Sequence, residues 1–224
     1  MTIKNESSNA LRFAAGLYGV TPEWDDANKL EHAVRAAAKG GMRVLQFRHK
    51  STDRGLRKEL AKGLVALCHE LDVTFFINDD WRMALELNAD GVHVGRHDDP
   101  PEIVRAAIGP TMLLGVSCYA DPKLAQELLK YDVAYIAFGA MYASQTKPLA
   151  PPAPLSVLTA GRALCEKFAR PRPAVVAIGG IGPQHAQSLA SAGADSIAVI
   201  GSLFMAPDIE AAARALSKPF SSSL

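Results

Sequence analysis

Two pairs of adjacent aspartates follow two consecutive apolar runs of the chain. Asp79 and Asp80 come after the first of these runs, and Asp98 and Asp99 come after the second. If the runs are neighbouring parallel strands, about 4.8 Å apart, Asp79 and Asp98 can converge on one cation. Two carboxylates without a Cys or His cluster suit Mg²⁺, which completes its shell with water and substrate phosphate. The alternative is helix capping, because each aspartate also precedes a predicted helix, and one member of each pair could cap while the other binds metal.

Three cations are predicted on the same face as these aspartates. Arg48 and Lys50 follow an earlier apolar run, and Lys147 lies far along the chain in a later connection. Arginine grips phosphate oxygens with two N–H groups, and lysine acts as a point charge. Taken singly, each cation is also typical of a solvated surface; together with Mg²⁺ they predict a diphosphate receptor.

Glycines follow the last two apolar runs. The segments are Ile178-Gly179-Gly180-Ile181-Gly182 and Val199-Ile200-Gly201-Ser202. Glycine lets backbone N–H groups approach an anion closely, and the start of a helix favours negative charge. The pattern predicts a second site, for a monophosphate. The alternative is that these glycines serve only tight turns.

Nucleophilic catalysis is not favoured by the cysteines and histidines. Cys118 has no evident base beside it in the sequence, and no spacing typical of a zinc site is present. His93 lies inside an apolar run, which indicates a packed, hydrogen-bonded histidine.

The elements that would position these residues recur along the whole chain. Eight short apolar runs alternate with Ala- and Leu-rich segments of helical spacing, and they read as strands buried on both faces of a parallel sheet. The runs are Gly16–Val20, Arg43–Phe47, Val73–Ile77, Gly91–Val94, Met112–Val116, Ala134–Phe138, Ala174–Ile178 and Ser196–Ile200. Eight units predict a closed (β/α)8 TIM barrel, whose carboxyl end carries the active face. The alternative, an open doubly wound sheet, usually carries G-x-G-x-x-G after its first strand, and this chain does not.

One connection is irregular. The stretch 139–154 is proline-rich and has no helical pattern. Long stretches of this kind are often functional lids, and a tolerated insertion is the alternative.

Length and composition set the broad class. The chain has 224 residues, 49% of them hydrophobic, and 24 Lys+Arg against 23 Asp+Glu. This predicts one catalytic barrel domain over 11–218, with tails at 1–10 and 219–224. The charge balance argues against a nucleic-acid or membrane-surface binder. Three cysteines, no signal peptide and no run of about 20 apolar residues predict a cytoplasmic protein with reduced thiols. Small phosphorylated molecules are the expected partners, and assembly into a homo-oligomer is left open.

Six motifs occur in order along the chain, each after its own predicted strand. They are Gln46-Phe47-Arg48-His49-Lys50, Asn78-Asp79-Asp80, Gly91-Val92-His93-Val94-Gly95-Arg96-His97-Asp98, Gly115-Val116-Ser117, Ser144-Gln145-Thr146-Lys147 and Ile178-Gly179-Gly180-Ile181. Each motif is weak alone, and the six in order are specific. Together they resemble the thiamine-phosphate synthase family, and the resemblance covers the chain from about Tyr18 to Ser202.

The resemblance implies a reaction and a role for each motif. A hydroxymethylpyrimidine diphosphate would lose pyrophosphate, and the pyrimidine methylene cation would be captured by the nitrogen of a thiazole phosphate, giving thiamine phosphate. Asp79 and Asp98 would hold Mg²⁺, while Arg48, Lys50, Ser117 and Lys147 would be catalytic. The pyrimidine diphosphate would be bound by Gln46, Phe47, Arg48, His49, Lys50, Asn78, Ser117 and Lys147. The thiazole phosphate would be bound by Ser144, Gln145, Thr146, Gly180, Ile200 and Gly201.

The chain departs from the family pattern at several positions. His49 stands where the family usually has Glu, and Arg96-His97 stand where it has Gln and an acid. Gly201 replaces a common Ser, and Ala140 and Ala143 replace prolines. His49 and Arg96 add positive character beside the predicted diphosphate site. No departure removes a predicted metal ligand.

Three alternatives to the synthase are kept. A thiazole phosphate tautomerase would need only the glycine-lined site and an acid or base. A non-catalytic sensor of phosphorylated thiamine precursors would bind ligand without making product. Other phosphate-binding barrels, such as sugar-phosphate epimerases, would need their acid pair or metal-binding histidines elsewhere.

Overall fold

The computed structural model describes residues 11–143 and 152–223. Eight parallel strands close into a barrel in sequence order, with the first strand paired to the eighth. This confirms the predicted (β/α)8 architecture and excludes the open doubly wound sheet. The strands are β1 Gly16–Val20, β2 Met42–Phe47, β3 Thr74–Asn78, β4 Gly91–Val94, β5 Leu113–Tyr119, β6 Tyr135–Phe138, β7 Ala174–Ile178 and β8 Ser196–Val199.

Helices follow the strands and pack outside the barrel. The α-helices are α1 Ala27–Lys39, α2 Arg54–Glu70, α3 Trp81–Glu86, α4 Pro101–Ile108, α5 Pro122–Leu128, α6 Ser156–Cys165, α7 Pro183–Ser191, α8 Gly201–Phe204 and α9 Ile209–Ser217. Short 3-10 helices cover Leu129–Tyr131 and Lys218–Ser223. Aspartate side chains accept hydrogen bonds from first-turn N–H groups of five helices, which fixes where each begins. These aspartates are Asp26, Asp53, Asp80, Asp121 and Asp208.

Strand side chains alternate between two buried environments. One set packs against the helices in a large apolar core, and the other fills the barrel interior. Inside, Tyr18, Phe76 and Tyr135 meet as a group of aromatic rings, and Phe13 closes the group with its ring centroid 5.3 Å from that of Tyr135. The interior below the mouth is therefore a packed, largely aromatic floor.

β5 extends further than its predicted boundary. Ser117 and Cys118 were expected after the strand, and both lie within it. Alternation then turns Ser117 towards the barrel interior and places the Cys118 thiol in the outer core. All three cysteines of the sequence are buried free thiols.

A buried ion pair lies at the amino-terminal end of the barrel, opposite the mouth. Arg172 precedes β7 and is 1% exposed, and Asp195 precedes β8 and is 8% exposed. Two guanidinium nitrogens of Arg172 reach the two carboxylate oxygens of Asp195 at 2.7 and 2.9 Å. Two adjacent strand starts are thereby tied together.

The chain ends differ in how far they match the predicted tails. Residues 1–10 lie outside the described residues. The stretch 219–224, predicted as a tail, is instead mostly taken up by the 3-10 helix Lys218–Ser223, and Phe220 joins the core because its ring is apolar and lies beside β1. Among the described residues, we find no helix with the length and apolar character needed to cross a bilayer.

Candidate active site at the carboxyl end of the barrel

Asp79 and Asp98 face each other at the mouth of the barrel. Asp79 follows β3 directly, and its φ of 66° lies in the left-handed region, which aspartate tolerates better than most residues. Burial raises the pKa of Asp98, and the hydrogen-bonded Asp79 carboxyl beside it raises that pKa further. Two acidic groups this close are held at an electrostatic cost that a cation between them would remove.

The second aspartate of each pair has a structural role. The Asp80 carboxylate accepts a hydrogen bond from the Met83 backbone N–H at 3.0 Å and caps α3. Asp99 accepts from the Trp81 indole N–H at 2.6 Å. Of the two outer aspartates, Asp80 therefore caps a helix and Asp99 does not, and Asp79 and Asp98 are the pair that faces the mouth.

Each inward aspartate has one further partner. The Gly95 backbone N–H donates to Asp98 Oδ2 at 2.7 Å, and the Lys50 ammonium donates to Asp79 Oδ2 at 2.8 Å. No third His, Cys, Asp or Glu joins the pair within the described part of the chain. The donor set, two carboxylates and room for other oxygens, fits Mg²⁺, which takes one or two carboxylates with waters and substrate phosphate.

Arg48 lies near the mouth and is held by an acidic residue of the preceding connection. Its guanidinium donates to Glu23 Oε1 at 2.7 Å, and both side chains are partly exposed. The Arg48 backbone N–H also donates to the Thr21 hydroxyl at 2.9 Å, which fixes the start of the loop after β2. Both Arg48 and Lys50 are therefore paired with carboxylates in the described structure.

Phe47 and His49, predicted to bind the pyrimidine diphosphate, turn their side chains elsewhere. Phe47 is 3% exposed in the outer core, because alternation along β2 points it away from the barrel interior. The His49 ring stacks on Phe47, accepts from the Ser51 N–H at 3.3 Å, and has its Nε2 2.9 Å from Asp25 Oδ1, although its N–H does not point along that line. Only the backbone of Phe47 could therefore contact a substrate. The His49 ring is turned towards Asp25.

Gln46, Asn78 and Ser117 lie near the carboxyl ends of their strands, on the interior side. Gln46 is buried, and Asn78 and Ser117 are half-buried. The Gln46 amide donates to the Tyr18 hydroxyl at 3.0 Å, and the Ser117 hydroxyl lies 2.9 Å from His93 Nε2. These predicted pyrimidine-binding side chains therefore border the packed interior from above.

The glycine-rich connections are of two kinds. Gly180 has a φ of 64°, and a Cβ there would lie 2.4 Å from the Ala143 carbonyl oxygen, so close packing of two loops requires glycine. Gly201 begins α8, and a Cβ there would meet no atom within 4 Å. Packing therefore explains why residue 180 is glycine, as the tight-turn alternative predicts. It gives no reason for glycine at position 201, where a side chain would meet open space.

Four predicted site residues lie outside the described residues. They are Ser144, Gln145, Thr146 and Lys147, and half of the predicted lid, 139–154, falls there with them. The ends of that stretch are described: the Met141 N–H donates to the Ile178 carbonyl at 2.9 Å, and the Ala153 N–H to the Ala140 carbonyl at 2.8 Å.

Several residues at the site were not predicted from the sequence. Tyr18 and Tyr135 supply hydroxyls inside the barrel, and Glu23 and Asp25 pair with the loop after β2. A tyrosine within an apolar strand is a signal for the first two, because a buried hydroxyl needs a hydrogen-bond partner. Nothing in the local sequence marks Glu23 or Asp25.

Arg96 also lies in the connection after β4. Its guanidinium stacks over the Tyr119 ring, 4.5 Å from the ring centroid, and its backbone N–H donates to the Tyr119 hydroxyl. The added positive charge expected at this departure from the family pattern is therefore carried by an exposed side chain close in sequence to Asp98.

Comparisons with known proteins agree on one family. A family model described as thiamine monophosphate synthase matches residues 17–203. Proteins named thiamine-phosphate synthase from Bordetella avium and Bordetella pertussis are 59% and 56% identical over 212 and 211 residues, covering 95% and 94% of this chain and 98% and 97% of theirs. A solved structure, thiamine phosphate pyrophosphorylase from Pyrococcus furiosus, is 31% identical with a TM-score of 0.78, covering 94% of this chain and 97% of that one.

Proposed function

The chain belongs to the thiamine monophosphate synthase family and is a transferase, and from this premise we propose which of its residues carry the reaction and that the reaction depends on Mg²⁺. Membership confirms the resemblance inferred from the motifs. The observation that carries the proposal is the convergence of Asp79 and Asp98 at the mouth, with Lys50 on Asp79. Neither the tautomerase nor the sensor needs such a carboxylate pair.

Asp79 and Asp98 would hold Mg²⁺ against the diphosphate of the pyrimidine substrate. When bound, the ion supplies positive charge that stabilises the departing pyrophosphate. Arg48, Lys50 and Lys147 would bind the same diphosphate oxygens, and their attraction grows as negative charge accumulates on the leaving group. Because Arg48 and Lys50 are already paired with carboxylates, the substrate would exchange one anionic partner for another at no loss of an ion pair.

Gln46, Asn78 and Ser117 would orient the pyrimidine over the packed floor of the barrel. The methylene carbon would then lie between the leaving pyrophosphate and the incoming thiazole nitrogen, so that the C–O bond breaks first and the C–N bond forms second. Ser144, Gln145, Thr146, Gly180, Ile200 and Gly201 would bind the thiazole phosphate. The stretch 139–154 would cover the mouth and exclude water, which would otherwise consume the cation.

The proposed reaction is tested by leaving out one component at a time. We expect thiamine phosphate and pyrophosphate in equal amounts only with both substrates and Mg²⁺ present. A chelator should lower the rate by about 100-fold or more, because charge stabilisation by a metal is worth several kcal/mol, and added Mg²⁺ should restore it. Aromatisation of a thiazole phosphate without metal and without pyrophosphate would instead support the tautomerase, and tight binding without product would support the sensor.

Replacing Arg48 tests the assignment of the diphosphate site. Arg48→Ala should lower kcat/KM for the pyrimidine diphosphate by about 10–100-fold, because a hydrogen bond to a charged group contributes about 1.5–3 kcal/mol. The KM for the thiazole phosphate should stay unchanged. Glu23→Gln is the matched control: it releases Arg48 without removing it, so the KM for the diphosphate should stay equal or fall. Equal losses in both variants would show that the ion pair, and not the arginine, matters.

The compartment and the assembly state remain predictions. We propose a cytoplasmic enzyme, and the relatives' names support small phosphorylated molecules as its substrates.

A further inference from the structure

A bulky residue in a rare backbone conformation lies at the end of β5. Tyr119 has a φ of 55°, in the left-handed region that a tyrosine seldom adopts. The register between β5 and β6 also shifts between Ser117 and Tyr119, which marks a β-bulge. Bulges beside active sites re-aim side chains, and backbone strain persists only where the surroundings hold it. The bulge therefore sets where the Tyr119 ring points.

The Tyr119 ring reaches the connection after β4, beside the carboxylate pair. Its hydroxyl accepts a hydrogen bond from the Arg96 backbone N–H at 3.0 Å. A Cβ placed on Gly95 would lie 3.5 Å from this hydroxyl, 3.5 Å from Asp98 Oδ2 and 3.8 Å from Ser117 Oγ. Three side-chain oxygens thus surround one point of the mouth, and one of them belongs to the proposed metal site.

The same ring carries a guanidinium on its face. Arg96 Cζ lies 4.5 Å from the Tyr119 ring centroid, a distance at which an aromatic ring attracts a cation. The arginine is therefore held at two points, because its backbone is bonded to the hydroxyl and its side chain lies over the ring. Ordering a long exposed side chain costs entropy when a ligand binds. The ring lowers that cost by restricting the guanidinium beforehand.

Arg96 differs from the other cations described at the mouth in its charge partners. Arg48 is paired with Glu23, and Lys50 is paired with Asp79. The Arg96 guanidinium has no such carboxylate partner in the described part of the chain. An anion at the mouth would therefore meet an unpaired positive charge at Arg96, whereas Arg48 and Lys50 must first give up a carboxylate.

We propose that Arg96 is a further binding residue for the diphosphate of the pyrimidine substrate and for the pyrophosphate that leaves, and that Tyr119 positions it. This inference rests on the proposed function of the same site. Arg96 comes two residues before Asp98, so a diphosphate at the carboxylate pair would lie beside the connection that carries the guanidinium. Arginine donates two parallel N–H bonds to phosphate oxygens, whereas the glutamine of the family pattern brings no charge.

Binding of inorganic pyrophosphate, measured by titration calorimetry at a fixed Mg²⁺ concentration, tests the role of Arg96 without turnover. Arg96→Gln should weaken this binding by about 10-fold, because charge-assisted hydrogen bonds are lost at an exposed site. The KM for the pyrimidine diphosphate should rise by a similar factor, and the KM for the thiazole phosphate should stay unchanged. Arg96→Lys keeps the charge without the fork of N–H groups and should recover part of the binding.

Arg82→Gln is the matched control. The Arg82 guanidinium also lies over an aromatic ring, 4.1 Å from the Trp81 ring centroid, but it is paired with Asp99 at 3.1 Å. Both variants remove one exposed positive charge from an arginine stacked on a ring. An effect of net charge alone would therefore be equal in the two, and we expect no measurable weakening of pyrophosphate binding in Arg82→Gln.

A double variant tests whether Tyr119 acts through Arg96. Tyr119→Leu removes the ring under the guanidinium and should weaken pyrophosphate binding by about 3-fold. When it is combined with Arg96→Gln, the loss should be no larger than in Arg96→Gln alone, because the residue to be positioned is gone. Losses that multiply would show that Tyr119 acts independently of Arg96 and would overturn the positioning role.

The outcomes separate this inference from the function on which it rests. If the unaltered protein releases pyrophosphate from the two substrates and Arg96→Gln binds pyrophosphate equally well, the inference alone is overturned. Equal losses in Arg96→Gln and Arg82→Gln would also overturn it, since net charge would then be the cause. If the unaltered protein neither binds pyrophosphate with Mg²⁺ nor releases it from the substrates, the proposed function falls and the inference falls with it.

Discussion

Asp98→Asn will lower the rate of pyrophosphate release by about 10²–10³-fold and leave the barrel folded. Asparagine keeps the shape of the side chain and an oxygen for the Gly95 N–H, but it removes the negative charge that would hold Mg²⁺. Asp79→Asn should act in the same way and should also free Lys50. Pyrophosphate release measured across a Mg²⁺ titration checks the effect, which raised Mg²⁺ should relieve only in part.

Stability should move in the opposite direction to activity in Asp98→Asn. A carboxyl group whose folded-state pKa is raised destabilises the folded protein when it is ionised, that is, above its folded-state pKa, and this penalty disappears as the pH falls below the unfolded value. The metal-free variant should therefore melt no lower than the unaltered protein at neutral pH, and any gain in Tm should shrink on acidification. Sites of function commonly carry such a cost to stability.

Asp99→Asn is the matched control for the metal assignment. It lies next in sequence, and its carboxylate accepts from the Trp81 indole and from Arg82 instead of facing Asp79. We expect near-normal turnover with this variant. Near-normal turnover in both Asp79→Asn and Asp98→Asn would refute the metal assignment.

The choice within each aspartate pair shows what the sequence could not decide. Asp79 and Asp80 are both good residues before a helix, so propensity alone assigns them equally. The backbone decides, because the left-handed φ of Asp79 turns it towards Asp98 and leaves Asp80 as the N-cap of α3. What the spacing did predict is that the loops after two adjacent strands would bring one carboxylate from each to the mouth.

Strand patterning fixed the barrel but not the direction of its side chains. Both faces of each strand are buried, so apolar character does not tell which face a side chain is on. Phe47 points into the outer core, and its neighbour Gln46 points into the barrel. The contact between two tyrosine hydroxyls in the interior is equally hidden in the sequence, because Tyr18 and Tyr135 are 117 residues apart and meet only when the barrel closes. The ion pair between Glu23 and Arg48 could not be predicted for the same reason, since the two residues lie on different connections of the barrel.

The largest loss of stability is expected far from the mouth, at Asp195. An internal repeat supplies the comparison, because Asn88-Ala89-Asp90 and Gly193-Ala194-Asp195 occupy the same place before β4 and β8. Asp90 accepts from the Phe75 N–H at 2.7 Å, and Asp195 accepts from the Val175 N–H at 2.8 Å. Each carboxylate thus satisfies the backbone of the preceding strand in the same way.

Asp195 differs from Asp90 in what else its carboxylate meets. Arg172 is buried and makes two charge-assisted bonds to Asp195, and Arg162 adds a third at 2.5 Å. Without Asp195, the buried Arg172 would keep only the half-exposed Glu166, 3.3 Å from its Nε, as an anionic partner. Breaking a buried pair costs about 3–5 kcal/mol, whereas losing one hydrogen bond at a partly exposed site costs about 1 kcal/mol. We therefore expect Asp195→Asn to lower the free energy of unfolding by about 3–5 kcal/mol and Asp90→Asn by about 1 kcal/mol.

Urea unfolding at neutral pH measures the free energy of unfolding of the two variants. A third protein, the double variant Arg172→Met with Asp195→Asn, tests whether the buried guanidinium causes the loss. If the loss of Asp195 from beside the buried guanidinium is the cause, removing the guanidinium together with the carboxylate should return part of the lost free energy, because an apolar side chain of similar length can fill the space without a charge. Below the unfolding transition, kcat should be unchanged in all three variants, since Arg172 and Asp195 lie at the end of the barrel opposite the carboxylate pair. If Asp195→Asn and Asp90→Asn lower the free energy of unfolding equally, the hydrogen bond that both carboxylates accept from the preceding strand, and not the buried arginine, determines the stability of the amino-terminal end of the barrel.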